Sequence, residues 1–208
     1  MSRRVRPLTA DAIARLGRPC DSCVYWESPH PLDVRCGAAC DASLLRSRIS
    51  QVNREWGVCG RVAIEDEAVL GFVKYAPARY YPQSRSLPTG APEPSAPLLT
   101  CLHVRESERS RGLDKLLLHA TLRDLHGRGE TALFAYGYVH AEESAAPMPS
   151  VGFLLENGFS VERPHADLPL LRLEIHSLAS WTDSLESALE ALLSPLGGAK
   201  RTPRPSVE

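Results

Sequence analysis

Arg109-Ser110-Arg111-Gly112-Leu113-Asp114 sets two guanidinium groups, a hydroxyl and a glycine directly ahead of an apolar run with helical spacing. Backbone N–H groups at the start of a helix have no intrahelical partner and sit at the positive end of the macrodipole. A glycine there lets a bulky anion approach the backbone, and the arginines add charge, so the stretch is suited to holding phosphate. The second group with chemical capacity is Cys20-x-x-Cys23 followed by Cys36-x-x-x-Cys40. Four thiolates at this spacing would suit a tetrahedral zinc ion. Free thiols packed as small hydrophobes are the simpler reading. The second pair is looser than structural zinc sites usually are, and Pro29 and Pro31 separate the pairs. We therefore expect no metal.

The elements that must position the phosphate turn lie on either side of it. Leu98 to Val104 is a short apolar run between Pro97 and a charged stretch, the pattern of a strand buried on both faces. After the turn, Leu113, Leu116, Leu117 and Ala120 make one apolar stripe of a helix, and Leu118, Leu122 and Leu125 a second. His126-Gly127-Arg128-Gly129 ends it, and Thr131 to Val139 forms the next strand. Upstream, Thr9 to Leu16 reads as a short helix capped by Thr9, and Cys20 to Glu27 as a first strand. Asp41 to Trp56 is an amphipathic helix with Leu45, Ile49, Val52 and Trp56 on one face. Val58 to Glu65 and Val69 to Tyr75 form a hairpin around Glu65-Asp66-Glu67. Pro82 to Pro97 is rich in Pro, Ser and Gly, and reads as a structureless loop hanging beside a cleft as lid or wall. Downstream come a polar loop from His140 to Pro149, a helix from Ser150 to Asn157, strands Phe159 to Arg163 and Leu168 to Ile175, and a helix from Asp183 to Leu193. The chain thus reads as one domain over 1–194, with a Pro/Gly-rich disordered tail at 195–208.

Composition narrows the function classes. Net charge is −1 and the pI about 6.7, so no global basic field calls for nucleic acid or an anionic membrane. No apolar run approaches the roughly 18 residues of a membrane span, and Met1 to Pro7 is not followed by a secretory segment. A cytoplasmic protein with reduced thiols is expected.

The strand, the R-x-x-G-x turn at Arg109 to Leu113 and the helix together resemble motif A of the GNAT superfamily of N-acyltransferases, Gln/Arg-x-x-Gly-x-Gly/Ala. Arg109 and Gly112 match, while Asp114 stands where the family has Gly or Ala. The family's late helix ending in G-F is matched by F-L-L-E-N-G-F at Phe153 to Phe159. C-x-x-C-V-Y-W-E near the start and L-P-L-L-R-L near the end are similar to an actinobacterial branch of the family. The resemblance covers roughly residues 20 to 180 and implies an α/β fold. Its central, mixed, mostly antiparallel sheet is twisted, splayed at the acyl-CoA site and flanked by helices. It implies acetyl-CoA, or another acyl-CoA, as co-substrate. The pyrophosphate would lie on the backbone of Arg109, Ser110, Arg111, Gly112, Leu113 and Asp114, and the pantetheine beside Leu102, His103 and Val104. The acceptor would be a primary amine of a small molecule, amino acid or peptide, with a homodimer as a possible assembly. Two other readings stay open: a non-CoA donor such as aminoacyl-tRNA, or a GNAT-fold binding protein without turnover.

Acyl transfer needs a neutral amine, a donor for the oxyanion and, in some cases, a proton for the departing thiolate. By the resemblance, the Val104 N–H supplies the second. His103, Tyr136 and His140 are the candidates for proton transfer, with Glu27 and Glu142 also within reach of a cleft. His103 and Tyr136 have ordinary readings too, as a satisfied interior histidine and a packing ring. The family's thiolate acid, a Tyr after the Phe of its F-Y-x-x-x-G-F pattern, is replaced by Leu154. Asp114 places a carboxylate one turn into the phosphate-binding helix, a like-charge contact on the order of 1–4 kcal/mol unless it turns away or pairs.

Overall fold

The computed structural model describes residues 3–140 and 148–175. The helix expected over 183–193, the tail from 195 and Glu142 lie outside the described residues. Among the described residues, seven strands form one sheet in the order β1-β2-β3-β4-β5-β7-β6. They are β1 (Arg3–Pro7), β2 (Gly60–Glu65), β3 (Ala68–Pro77), β4 (Pro97–Val104), β5 (Ala132–Tyr136), β6 (Ser160–Arg163) and β7 (Leu170–Glu174). All neighbouring pairs are antiparallel except β4 and β5.

Helices cover both faces. On one, α1 (Ala10–Ile13) and α2 (Ala42–Glu55) pack with the segment after α1. On the other lie α3 (Leu113–Gly127) and α4 (Val151–Glu156). Capping follows the sequence: Thr9 accepts from the Ala12 N–H at 3.1 Å and Asp41 from the Leu44 N–H at 2.8 Å. Leu45, Ile49 and Val52 of α2 are buried, as are Leu113, Leu117, Leu118, Leu122 and Leu125 of α3. Each such side chain contributes roughly 1.5–3 kcal/mol. Asp66 and Glu67 have φ of 45° and 71°, the left-handed pair of a tight turn whose twist matches the β2–β3 hairpin.

Three expectations need correcting. The first strand is Arg3–Pro7 and not Cys20 to Glu27. Cys20 to Ser28 is wound in turns, with the Cys23 N–H donating to Pro19 O and that of Ser28 to Val24 O. Val24, Tyr25, Trp26 and Glu27 are consecutively buried, which excludes the one-side-out pattern of a surface strand. Next, Pro82 to Pro97 is ordered and tied down. Tyr136 donates to Gly90 O at 2.6 Å, Arg163 donates to Thr89 O at 2.9 Å and to Ala91 O at 3.0 Å, and Pro82–Ser86 is a 3-10 turn. It is a wall. Last, the two cysteine pairs do converge in part, as described below.

α3 is locked to the sheet by one half-buried carboxylate. Asp124 takes Arg61 at 2.5 Å, the Tyr75 hydroxyl at 2.7 Å and Arg128 at 2.7 Å. The Arg128 guanidinium also lies 4.4 Å from the Trp56 ring centre and donates to Val58 O at 2.9 Å. Through Arg128 the end of α3 is joined to the end of α2.

Candidate active site

β4 and β5 are paired through Leu98–Phe134 and Leu99–Ala135, and among the described residues they make no other pair. Both strands continue, β4 to Val104 and β5 to Tyr136, so past this point they part and leave a wedge. The opening coincides with a bulge. Register with β3 passes from Tyr75–Leu99 to Lys74–Cys101, which leaves Thr100 as an extra residue on β4. The Thr100 hydroxyl donates to Lys74 O at 3.1 Å, anchoring the bulge. Leu102, His103 and Val104 thus lie on the part of β4 from which β5 has separated.

Directly after β4, Glu106–Arg111 forms a 3-10 turn, and Gly112 (φ 68°, ψ 20°) reverses the chain into α3. A right-handed residue followed by a left-handed one turns successive N–H groups toward one point, an anion-holding nest. A Cβ at Gly112 would meet nothing within 4 Å, so φ alone calls for glycine here. The first-turn amides of α3 extend this donor set. One is already taken: the Asp114 carboxylate accepts from the Lys115 N–H at 2.8 Å. Arg3 holds the turn from below, donating to Glu108 at 2.8 Å and to Glu65 at 3.3 Å.

Of the residues named for proton transfer, His103 is half-buried on β4, its ring 6.1 Å from that of Phe72. His140 is exposed at the edge of the described residues. Tyr136 is 1% exposed and stacked on Trp26 at 5.9 Å, and its hydroxyl is committed to Gly90 O. Burial pushes that phenol above the usual tyrosine range. Through that hydroxyl Tyr136 tethers the 82–97 segment. Leu154 is fully buried in the α3–α4 core.

Sequence reasoning named Glu27 but passed over Lys74 and the buried pair that the two form on the opposite face. Lys74 donates to Glu27 Oε1 at 2.7 Å, with both side chains 4% exposed. Burial alone would lower the Lys74 ammonium, but the Glu27 carboxylate outweighs it and holds it above the ordinary lysine range. Lys74 faces Cys101 across the β3–β4 ladder, so the pair stands one strand away from the bulge. Tyr25, Trp26 and Glu27 are all buried, and the two aromatic residues directly before Glu27 are the signal in the chain that it too would be internal.

The four cysteines of Cys20-x-x-Cys23 and Cys36-x-x-x-Cys40 divide three to one. Cys20, Cys23 and Cys36 line one small cavity, the Cys36 thiol bonding those of Cys20 and Cys23. Cys40 is exposed and points at Gly37 O, 3.6 Å away. The bond to Cys20 is the main cause that pushes the Cys36 thiol up to about 12, and burial adds to it. Among the described residues no His, Cys, Asp and Glu group is arranged to hold a metal ion.

No protein-family model and no curated protein matches the sequence. Solved structures do match. The PaiA N-acetyltransferase of Thermoplasma acidophilum, solved with coenzyme A, superposes with a TM-score of 0.57 at 15% identity, over 84% of this chain and 99% of that one. The loading GNATL domain of CurA from Lyngbya majuscula gives 0.56 at 14% identity, over 85% and 100%. YncA of Salmonella typhimurium, solved with its cofactor acetyl-CoA, gives 0.58 at 14% identity, over 84% and 95%. This is the GNAT fold. Among the described residues, no helix of this GNAT-fold chain is long and apolar enough to cross a membrane.

Proposed function

We propose that this GNAT-fold protein is an N-acyltransferase that moves an acetyl group from acetyl-CoA to a primary amine of a small molecule, amino acid or peptide. The observation that carries the reading is the β4–β5 wedge, which opens at the Thr100 bulge and leads to the nest at Gly112. The residues present fit the co-substrate. The amides from Arg111 to Asp114 receive the pyrophosphate, with Asp114 yielding the Lys115 N–H or turning outward. The exposed backbone of Leu102 to Val104 pairs with the pantetheine, as a strand edge pairs with any extended amide chain.

In the reaction the amine nitrogen attacks the thioester carbonyl carbon, the C–S bond breaks, and CoA leaves as the thiolate, which solvent then protonates. The Val104 N–H stabilises the carbonyl oxygen as it becomes negative. His103 takes the amine proton, as it lies on the half of β4 from which β5 has separated. A thiolate is a good leaving group, so a hydrocarbon at Leu154 does not prevent turnover.

The test is chromatographic detection of CoA and acetylated product from acetyl-CoA and single primary amines. At least one amine should be acetylated. His103→Asn should lower kcat about 10²–10⁴-fold with CoA affinity retained. Turnover unaffected by His103→Asn would assign the proton transfer elsewhere. Failure of acetyl-CoA to bind at all would remove the reading itself.

A further inference from the structure

We propose that the pocket between α2 and the segment following β3 binds a small organic acid whose far end is an uncharged hydrogen-bond donor. The pocket holds about 320 Å³, within the size range of small-molecule sites, and Glu27 and Lys74 line it. Glu27 Oε1 accepts from Lys74, whereas among the described residues Oε2 has no hydrogen-bond partner although the side chain is only 4% exposed. A buried acceptor without a donor is costly, and a guest that donates to Oε2 removes that cost.

Charge decides what kind of donor it is. The carboxylate is already neutralised by Lys74, so a guest ammonium at Oε2 would meet the Lys74 ammonium at short range and be repelled. A hydroxyl or amide N–H carries no such penalty. Ile49 and Val52 of α2 also line the pocket and suit an apolar stem. Farther along its lining stand Arg48, Arg79 and Glu55. Glu55 is already satisfied by Gln51 at 3.0 Å and by the Tyr80 hydroxyl at 3.0 Å. Two arginines against the one carboxylate of Glu55 leave this part of the lining net cationic, the place for the guest's carboxylate. Arg79 is held over the Tyr80 ring at 4.9 Å, which orients it.

This site uses neither the wedge nor the Gly112 turn, so its failure leaves the acyl-transfer reading untouched. Titration calorimetry of the full chain with the series ω-hydroxybutanoate to ω-hydroxyoctanoate tests it directly. One member should bind saturably at a single site. The plain alkanoate of the same length should bind at least about tenfold more weakly, the loss expected for a hydrogen bond to a buried charge. The matching ω-amino acid should also bind more weakly than the hydroxy acid. An Arg48→Ala/Arg79→Ala variant, altering two exposed side chains, should bind it several-fold more weakly without losing its fold. No saturable binding across the series, equal binding of alkanoate and hydroxy acid, or indifference to the arginine variant would each overturn the proposal.

Discussion

The two faces of the sheet are built by different means. On the α3 face, a regular helix with leucine stripes lies over the strands, and the proposed donor site is a property of backbone: one left-handed glycine, first-turn amides and a strand edge. On the α2 face, the segment 20–40 has turns in place of long helices. Its interior carries a buried ion pair, a tethered wall and three thiols in contact. A backbone site needs few particular side chains and can be recognised over a handful of residues. A side-chain interior holds only when partners far apart in the chain all arrive, and its polar groups are costly when one is missing.

The largest effect should come from breaking that interior. Lys74→Met leaves the Glu27 carboxylate buried without its cation and should cost about 3–5 kcal/mol in urea denaturation. Adding Glu27→Leu should recover most of the loss, since two apolar groups need no mutual partner. The Lys74 ammonium is held above its unfolded pKa, so its contribution is complete below the ordinary lysine range and is lost only as pH rises beyond it. Equal stability of Lys74→Met and the parent protein at pH 7 would show that the pair contributes nothing.

Tyr136→Phe sharpens the contrast at intermediate size. It removes the donor to Gly90 O and should cost about 1–2 kcal/mol, with CoA affinity unchanged because Tyr136 belongs to the wall. A lost CoA response in a stable Tyr136→Phe protein would place the hydroxyl in the donor site. The smallest effect concerns the donor side alone. Asp114→Ala frees the Lys115 N–H and removes a like charge, so CoA should bind about fivefold more tightly by calorimetry, roughly 1 kcal/mol. Unchanged or weaker binding would mean the carboxylate turns outward when CoA arrives.

The same difference explains what was legible in the sequence. α2 follows from Asp41 and a 3.6-residue apolar stripe, the hairpin from Glu65-Asp66-Glu67, and the phosphate turn from Arg109 to Asp114, all local signals. β1 was not legible: Arg3, Arg4 and Arg6 do not look like strand residues, and only pairing with β2 and the Arg3 contacts to Glu65 and Glu108 make them one. Cys20 to Glu27 has strand-like composition, yet buries consecutive side chains because Trp26 must reach Tyr136 and Glu27 must reach Lys74. Pro82 to Pro97 read as loose, since its partners Tyr136 and Arg163 lie far along the chain. The meeting of Cys36 with Cys20 and Cys23 depends on the same distant packing.

The central claim is that the Gly112 turn and the wedge beside it form an acyl-CoA site, and thermal unfolding with and without CoA tests it most directly. The parent protein should melt several degrees higher in saturating CoA, as binding to the native state alone requires. Gly112→Glu adds a carboxylate to the nest and strains a left-handed position. That variant should still fold, at a somewhat lower melting temperature, and show no shift with CoA. A CoA-dependent shift of the same size in Gly112→Glu would contradict the account and put the phosphates elsewhere.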